Sequence, residues 1–376
     1  MEHQFTVPCL FGLEGIVADE LRYMGIGEVA PQDGKVLFKG SLQDIAKVNM
    51  AIRCGERVLL NLATFRATTF DELFEKTKAI NWEDYINPKD AFPVKGYSLK
   101  SELFSIPDIQ KIIKKAAVEK LKQKYDITWF EESAQKKQIS FSIFKDTVTI
   151  MLDTTGEGLH KRGYRAISNE APLRETLAAA MVKLTRFRDG MTLVDPFCGS
   201  GTIPIEAAMI AANIAPGLKR NFLSEDWHFL PKDSFTKTRQ ELQDAIKTPK
   251  IEILGADINP DCTSLTLQNA KKAGVFQYIK TKTADIHDLD FPAAQNGIII
   301  CNPPYGERLM EQKEAERLYT DMGQIFVKLD NYKYFILTSH EDFENSFRIK
   351  ADKNRKLYNG MIKCMYFQYF KKINKE

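Results

Sequence analysis

Cys301-Asn302-Pro303-Pro304-Tyr305-Gly306-Glu307-Arg308 sets an amide, two prolines and an aromatic ring directly behind the apolar run Gly297-Ile298-Ile299-Ile300. Apolar residues that stop at a sharp turn read as the end of a buried parallel strand. Consecutive prolines donate nothing to a sheet and fix φ at about −65°, so they hold Asn302 and Tyr305 in set directions just past the strand's carboxyl end. Ligands bind at that edge of open α/β sheets. The Asn302 amide oxygen and the Pro303 carbonyl are acceptors, and Tyr305 offers a flat face; together they suit a planar amine. A plain proline-rich turn would explain Pro303 and Pro304, but not the strand, the Asn and the Tyr at once.

A second cluster runs from Thr192 through Leu193-Val194-Asp195-Pro196-Phe197-Cys198-Gly199-Ser200-Gly201-Thr202-Ile203-Pro204 to Ala208. A short strand enters a glycine turn and then a helix, as in the first β-α unit of a dinucleotide-type fold. A nicotinamide cofactor would want Gly-x-Gly-x-x-Gly, but Pro204 takes the third glycine's place, and no Gly-x-x-x-x-Gly-Lys-Ser/Thr phosphate loop occurs in the chain. A ligand without a pyrophosphate is favoured. Asp195 at the strand end can hold a cationic amino group, such as that of a methionine moiety, by a charge-assisted bond. The next strand, Ile251 to Ile258, ends in Asp257, an acid suited to two ribose hydroxyls, with a helix N-cap as the structural alternative.

Asn-Pro-Pro-Tyr joined to this glycine loop resembles the motif pair of S-adenosylmethionine-dependent amino methyltransferases that act on nucleobases or glutamine side-chain amides. The resemblance implies catalysis by Asn302, Pro303, Pro304 and Tyr305. It implies cofactor contacts from Asp195, Pro196, Phe197, Cys198, Gly199, Gly201, Thr202, Asp257 and Ile258. It further implies that Asp285, ending Ile279 to Ile286, accepts a bond from the adenine amino group while Ile286 covers the ring, with Asp288 and Asp290 as nearby competitors. The helix Ala171 to Met181, with Pro172 in its first turn, is similar to the family's helix beside the cofactor; packing explains its alanines equally well.

These groups must be positioned by a chain of 376 residues, long enough for two or three domains. Fifty-three Lys plus Arg against fifty Asp plus Glu leave +3, too little to imply a nucleic-acid partner by net charge alone. Six scattered cysteines contain no Cys-x-x-Cys pair, which argues against a disulfide framework or a zinc site and fits a reducing cytoplasm. No metal is required by the chemistry above. The start lacks a basic segment followed by an apolar one, and no run of eighteen apolar residues occurs, so a cytosolic protein without membrane association is expected.

Residues 1–65 form the first expected module. It contains strands at Phe5-Pro8 and Gly34-Gly40, a helix over Leu13-Leu21, and a second helix from Ser41 with Ser41 and Asp44 as a capping-box pair. Residues 66–155 form the second, whose clearest element is a helix from Asp108 to Tyr125 that starts behind Pro107. At 100° per residue, Ile109, Ile112, Ile113 and Ala116 share one face while Lys111, Lys114, Lys115 and Lys122 share the other. Lys95 to Lys124 holds eight Lys against three acids, whereas residues 1–160 hold 21 basic and 23 acidic side chains, so positive charge is local. A solvated helix face accounts for the lysines as well as a nucleic acid does. Strands over Ile139-Ile143 and Thr147-Leu152 close the unit.

A linker at 156–168 carries Gly156, Gly158 and Gly163 among Lys161, Arg162 and Arg165, and residues 169–376 hold the two chemical clusters. The segment Asn213 to Lys250 is longer than a crossover needs; Ala215 to Arg220 with Trp227 reads as a substrate-facing insertion. Tyr334 to Ser339 supplies a fifth strand, and Asn359-Gly360 signals a hairpin whose second arm, Ile362 to Phe370, would lie antiparallel at the sheet edge.

The region with Lys100-Ser101-Glu102-Leu103 before the basic helix resembles a THUMP domain behind a ferredoxin-like module, placed as in the family just upstream of Leu159-His160-Lys161-Arg162-Gly163-Tyr164-Arg165. That arrangement is identified with the YpsC/RlmL-like group of class I RNA guanine-N2 methyltransferases. The resemblance implies an α/β fold, with a Rossmann-like methyltransferase domain on a seven-stranded mixed sheet behind the two α+β modules. It implies S-adenosylmethionine as cofactor and RNA as partner, captured through Lys111, Lys114, Lys115, Lys122 and Arg308. Ribosomal RNA of the large subunit is the expected substrate. A tRNA guanine-N2 enzyme of similar architecture is the near rival. A protein glutamine methyltransferase, which would carry a helical release-factor-binding domain, is the distant one. Oligomeric state is open.

Overall fold

The structure, a computed structural model, describes residues 2–165, 173–306 and 309–371. The expected RNA contact at Arg308 and the helix-opening Pro172 lie outside the described residues. The chain divides into two compact units: Met1–Cys9, Val17–Leu159 and Arg220–Gln240 form one, and Leu10–Ile16, His160–Lys219 and Glu241–Glu376 form the other.

The first unit is built on β1 (His3–Pro8), β2 (Ala30–Gln32), β3 (Lys35–Gly40), β4 (Leu59–Arg66), β5 (Val94–Leu99), β6 (Ile139–Phe144) and β7 (Thr147–Asp153), with helices α2 (Asp44–Ala51), α3 (Phe70–Lys78) and α4 (Ile106–Tyr125) and, from Val17 onward, α1 (Glu14–Tyr23). One sheet runs β2-β3-β1-β4-β7-β6-β5. β4 pairs β1 on one side and β7 on the other, so the sheet is continuous through residue 65. β2, β4 and β5 escaped the sequence reading. β2 contains a proline, β4 carries Asn and Arg, and β5 is a Gly-containing edge strand, all weak β signals.

α4 forms as its sequence dictates. Ser105 is the N-cap residue, Pro107 sits in the first turn, the Ser105 hydroxyl donates to Asp108, and Ile109, Ile113, Ala116, Ala117 and Leu121 are buried. α2 begins only at Asp44. The Asp44 carboxylate accepts from both the Ser41 N–H (2.7 Å) and the Ser41 hydroxyl (2.9 Å), which closes a turn ahead of the helix rather than capping one that starts at Ser41.

The second unit holds α5 (Glu175–Thr185), β8 (Thr192–Asp195), α6 (Thr202–Ala211), β9 (Glu252–Asp257), α8 (Pro260–Ala273), β10 (Ile279–Thr283), β11 (Gly297–Cys301), α9 (Leu309–Phe326), β12 (Tyr332–Thr338), α10 (Phe343–Phe347), β13 (Lys353–Asn359) and β14 (Ile362–Tyr369), while α7 (Ser234–Asp244) spans the division. Its sheet runs β10-β9-β8-β11-β12-β14-β13, parallel from β10 to β12 and antiparallel thereafter. Every residue of β11 is buried, as a central parallel strand requires. The chain leaves β8 toward β9 and β10, then resumes on β8's other side with β11 and β12. The switch point therefore lies between β8 and β11.

Three expectations are corrected here. The hairpin forms, but β13 takes the sheet edge and β14 lies inside it, paired to β12 and β13. Asn359 pairs Ile362, so the turn residues are Gly360 and Met361, with Gly360 at φ 63°. α5 begins at Glu175, with Arg174 extended ahead of it. Trp227 does not face a substrate. It is 3% exposed within the first unit, and its Nε1 donates to the Lys136 carbonyl (3.1 Å).

Trp227 covers a buried charge. Lys137, fully buried, pairs Asp90 (3.2 Å), donates to the Tyr85 carbonyl (3.0 Å) and meets His228 Nδ1 (3.1 Å), with its ammonium 5.5 Å from the Trp227 ring and 5.3 Å from that of Phe229. Burial, and then the Lys137 charge, lower the His228 pKa, which keeps Nδ1 an acceptor.

Candidate active site

At the β8–β11 switch point a cavity of about 730 Å³ opens, lined entirely by second-unit residues. β8 delivers Asp195 into it and β9 delivers Asp257; the turn after β10 delivers Asp285 and Ile286, and β11 delivers Asn302 to Gly306.

The loop after β8 is tied down on all sides. The Cys198 N–H donates to the Ala256 carbonyl (2.8 Å) and the Gly199 N–H to the Asp257 carboxylate (2.9 Å). α8 holds the loop's carbonyls through Thr266, which donates to Gly199 (3.0 Å), and Asn269, which donates to Ser200 (2.9 Å). Gly201 turns the chain into α6 at φ 82°, and a Cβ there would stand 2.7 Å from the Thr266 methyl. Gly201 does not line the cavity. Its place in the structure is a turn that shapes the loop from behind, against Thr266.

Segment 160–165 supports the same loop. Arg165 Nη2 donates to the Thr202 hydroxyl (2.5 Å) and to the Leu173 carbonyl (3.1 Å), and Arg165 pairs Glu175 (3.6 Å). Arg162 and the Tyr164 hydroxyl both reach Glu206 on α6, at 3.5 and 3.1 Å.

The cavity's acids differ in environment. Asp195 is 1% exposed and accepts from the Phe197 N–H (3.2 Å); burial pushes its carboxyl well above the usual range. A cation brought beside it would offset that cost, which fits the ammonium of a methionine moiety. Asp257 accepts the Gly199 and Asn259 N–H groups, one per oxygen, which leaves lone pairs for ribose hydroxyls. The alternative role of Asp257 as an N-cap falls to Asn259, whose side chain accepts from the Asp261 N–H. The Asp285 carboxyl is held below its ordinary value by the His287 backbone N–H and then by the His287 ring (2.5 Å), while Ile286 is buried and Ile258 exposed at the cavity wall. These residues fit S-adenosylmethionine: a buried anion, a ribose acid and an adenine acceptor stand in chain order along the strand ends.

At the end of β11, beside β8, α9 fixes the proline turn, with the Tyr319 hydroxyl donating to the Pro304 carbonyl (2.7 Å) and facing Thr338 (3.1 Å). Among the described residues nothing donates to the Pro303 carbonyl. The Asn302 oxygen, by contrast, accepts the Tyr305 hydroxyl at 2.5 Å. The Asn359 side chain bonds to that hydroxyl and the Cys364 thiol lies 3.6 Å away, and burial raises the Tyr305 pKa far above its ordinary value. Tyr305 is therefore more than the flat face expected, because its hydroxyl holds the Asn302 amide oxygen.

Sequence reasoning missed other lining residues, among them Leu173, Ser200, Glu311, Leu318, Asn359 and Ile362. The only signal for the last two was the Asn-Gly turn, which announces a hairpin but not that its tip returns to the cavity. Of the four lysines named for RNA, Lys111, Lys115 and Lys122 are exposed. Lys114 is half-buried; it donates to the Phe92 carbonyl (3.1 Å), sits 3.4 Å from the Phe92 ring centre and contacts Glu132. Among the described residues no cluster of His, Cys, Asp or Glu could hold a metal, and no helix is long and apolar enough to cross a membrane.

Three family models match the chain: an RlmL ferredoxin-like domain over residues 4–59, a THUMP domain over 67–153, and an RMKL-like methyltransferase domain over 162–368. The putative RNA methyltransferase YpsC of Bacillus subtilis (strain 168) is 46% identical over 96% of this chain and 94% of its own. The ribosomal RNA large subunit methyltransferase K/L of Psychromonas ingrahamii is 32% identical over 97% of this chain, which spans about half (50%) of that longer relative. A putative methyltransferase solved with SAH superposes with a TM-score of 0.92 at 39% identity, covering 98% of each chain. An acidic cofactor wall, an Asn-Pro-Pro-Tyr turn in the same cavity and these matches agree, and the chain belongs to the RMKL-like family of S-adenosylmethionine-dependent methyltransferases, with a ferredoxin-like and a THUMP domain ahead of the catalytic one.

Proposed function

We propose that this protein transfers a methyl group from S-adenosylmethionine to the exocyclic N2 amine of a guanine in RNA, with 23S ribosomal RNA as the substrate. One observation carries the reading: two amine acceptors, the Asn302 oxygen and the Pro303 carbonyl, share a single cavity with Asp195, Asp257 and Asp285. When bound, the cofactor supplies an activated methyl carbon. The protein's own groups do the rest. Asn302 and Pro303 accept the two amino hydrogens, which directs the nitrogen lone pair at that carbon. The Tyr305 ring stacks on a base flipped from its helix, at a cost of a few kcal/mol. The THUMP domain, with Lys111, Lys115 and Lys122, holds phosphates without reading sequence.

Ribosomal RNA is favoured over tRNA by the names of the relatives, and RNA over protein by the THUMP match. The test is transfer of labelled methyl to total RNA from a strain lacking the gene, followed by nucleoside mass spectrometry of the separated 23S and tRNA fractions. N2-methylguanosine in the 23S fraction is expected. Label confined to tRNA moves the substrate to the near rival, a methylated adenine or cytosine overturns the N2 assignment, and label on release factors with none on RNA overturns the whole reading.

A further inference from the structure

Within the first unit, one face of the sheet is exposed at its β5 edge, while further in Ser142, Thr149 and Met151 of the same face are buried. Partners in register point to one side, so Lys95, Tyr97 and Leu99 of β5 stand beside Ser140, Ser142 and Phe144 of β6. The row continues through Thr147 and Thr149 of β7 to Arg66 and Thr64 of β4. The alternate residues, including Ile139, Phe141, Ile143, Val148 and Ile150, are buried. Tyr97, Leu99 and Phe144 are instead 52%, 56% and 48% exposed, an apolar group that an RNA-binding fold has no reason to show to water.

The surround is basic and hydroxylic. Lys95, Lys100 and Arg66 are exposed. Lys145, in the tight turn where residues 145 and 146 both take positive φ (49° and 60°), holds its ammonium 5.3 Å from the Phe144 ring centre. Two acids share this rim: Asp146, 3.8 Å from Arg66 and bonded to the Glu102 N–H, and Glu102 itself. Inward from Tyr97 the row runs through Ser142 and Thr149, which are buried, to Thr64, which is exposed and 3.5 Å from Thr149; the exposed hydroxyl beside Phe144 is that of Thr147.

We propose that this face is a platform for unpaired RNA, with Tyr97 and Phe144 stacking on successive bases and Lys95, Lys100 and Lys145 meeting the phosphates. Exposed rings set among cations on an open sheet are what single-stranded nucleic acid needs: every base has a π-face, and every linkage carries a negative charge. The platform rests on the reading of the protein as an RNA methyltransferase and names which form of RNA the first unit holds. It is distinct from the lysines of α4, which suit backbone charge alone.

The probes are a short oligouridylate and a duplex of equal length, titrated against the full chain. Tyr97→Leu with Phe144→Leu keeps the apolar bulk and removes the stacking. It should lower oligouridylate affinity at least about 10-fold, with the salt slope, the SAH affinity and the melting temperature unchanged. Lys95→Ala with Lys145→Ala should flatten the salt slope by roughly 0.7 per lysine. Undiminished oligouridylate binding in the leucine variant, a wild-type protein that binds only duplex, or a change in oligomeric state in place of RNA affinity overturns the platform. If wild-type protein methylates 23S RNA and the leucine variant keeps its KM, the platform fails while the enzymatic reading stands. If no RNA is methylated yet the rings govern oligouridylate binding, the reverse holds.

Discussion

Asp195 carries a buried charge at a strand end, where among the described residues the Phe197 N–H donates to its carboxylate. Burial raises its folded pKa above the ordinary 3.8, so this group's contribution makes the ligand-free protein less stable as pH rises through the window above 3.8. A bound ammonium removes that penalty. Asp195→Asn should weaken SAH by about 1.5–3 kcal/mol and leave methylthioadenosine, which lacks the amino acid, nearly unaffected. Calorimetry with both ligands checks this, and equal losses would place Asp195 outside the methionine site. In the wild type, SAH affinity alone should fall as pH drops through the raised value.

In the same cavity, Asn302→Ala should cut single-turnover methyl transfer roughly 100-fold, the loss of an orienting bond worth about 2–3 kcal/mol in the transition state. Cofactor and RNA affinities should hold. Tyr305→Phe keeps the stacking ring but frees the Asn302 oxygen, so KM for RNA should fall or hold while turnover drops modestly; Tyr305→Ala should lose about 1–3 kcal/mol of base binding. Phe as damaging as Ala in turnover would assign the hydroxyl a part in the chemistry itself. None of this pairing was legible in the sequence, where Asn302 and Tyr305 are three apart on an irregular turn with no periodicity to say which atoms meet.

At the level of elements, the parallel strands and their acids were readable because buried runs that end in Asp carry their own punctuation. Thr192 to Asp195 and Gly297 to Cys301 end within a residue of expectation. What was not readable was support arriving from elsewhere in the chain: Arg165 on Thr202, Thr266 on Gly199, the β13–β14 tip beside Tyr305. Gly201 makes that dependence measurable. Gly201→Ala adds a Cβ both at positive φ and against Thr266, so it should cost about 1–3 kcal/mol of stability and weaken SAH without touching RNA binding. Thr266→Ala in the same chain should recover part of the loss by removing the clash, leaving the backbone strain. Strict additivity of the two substitutions, read by thermal melts, would show that the glycine is not pressed against α8.

For the molecule as a whole, the middle of the segment read as an insertion, Arg220–Gln240, belongs to the other unit, while residues 213–219 and 241–250 stay with the catalytic half. Trp227 closes the wall over Lys137 and Asp90, and its sequence gave no hint of this, because a buried lysine cannot be told from a surface one by its neighbours in the chain. Trp227→Ala should destabilise the first unit by about 3–5 kcal/mol, seen as early loss of protection in hydrogen exchange over β5 to β7, with the cofactor site still able to bind SAH. Uniform loss over both units would mean that the two fold as one.

That segment also bears on the order in which the protein can fold as it is made. Gln240 emerges 81 residues after Leu159, and only then are all parts of the first unit present. At about 5–20 residues per second the lag is roughly 4–16 s. For most of it the nascent chain carries Lys137 and Asp90 without Trp227 and His228, and β8, the glycine loop and α6 emerge before those two do. A chain arrested so that its last emerged residue lies between 160 and 220 should therefore hold a loosened, protease-sensitive sheet at its amino end.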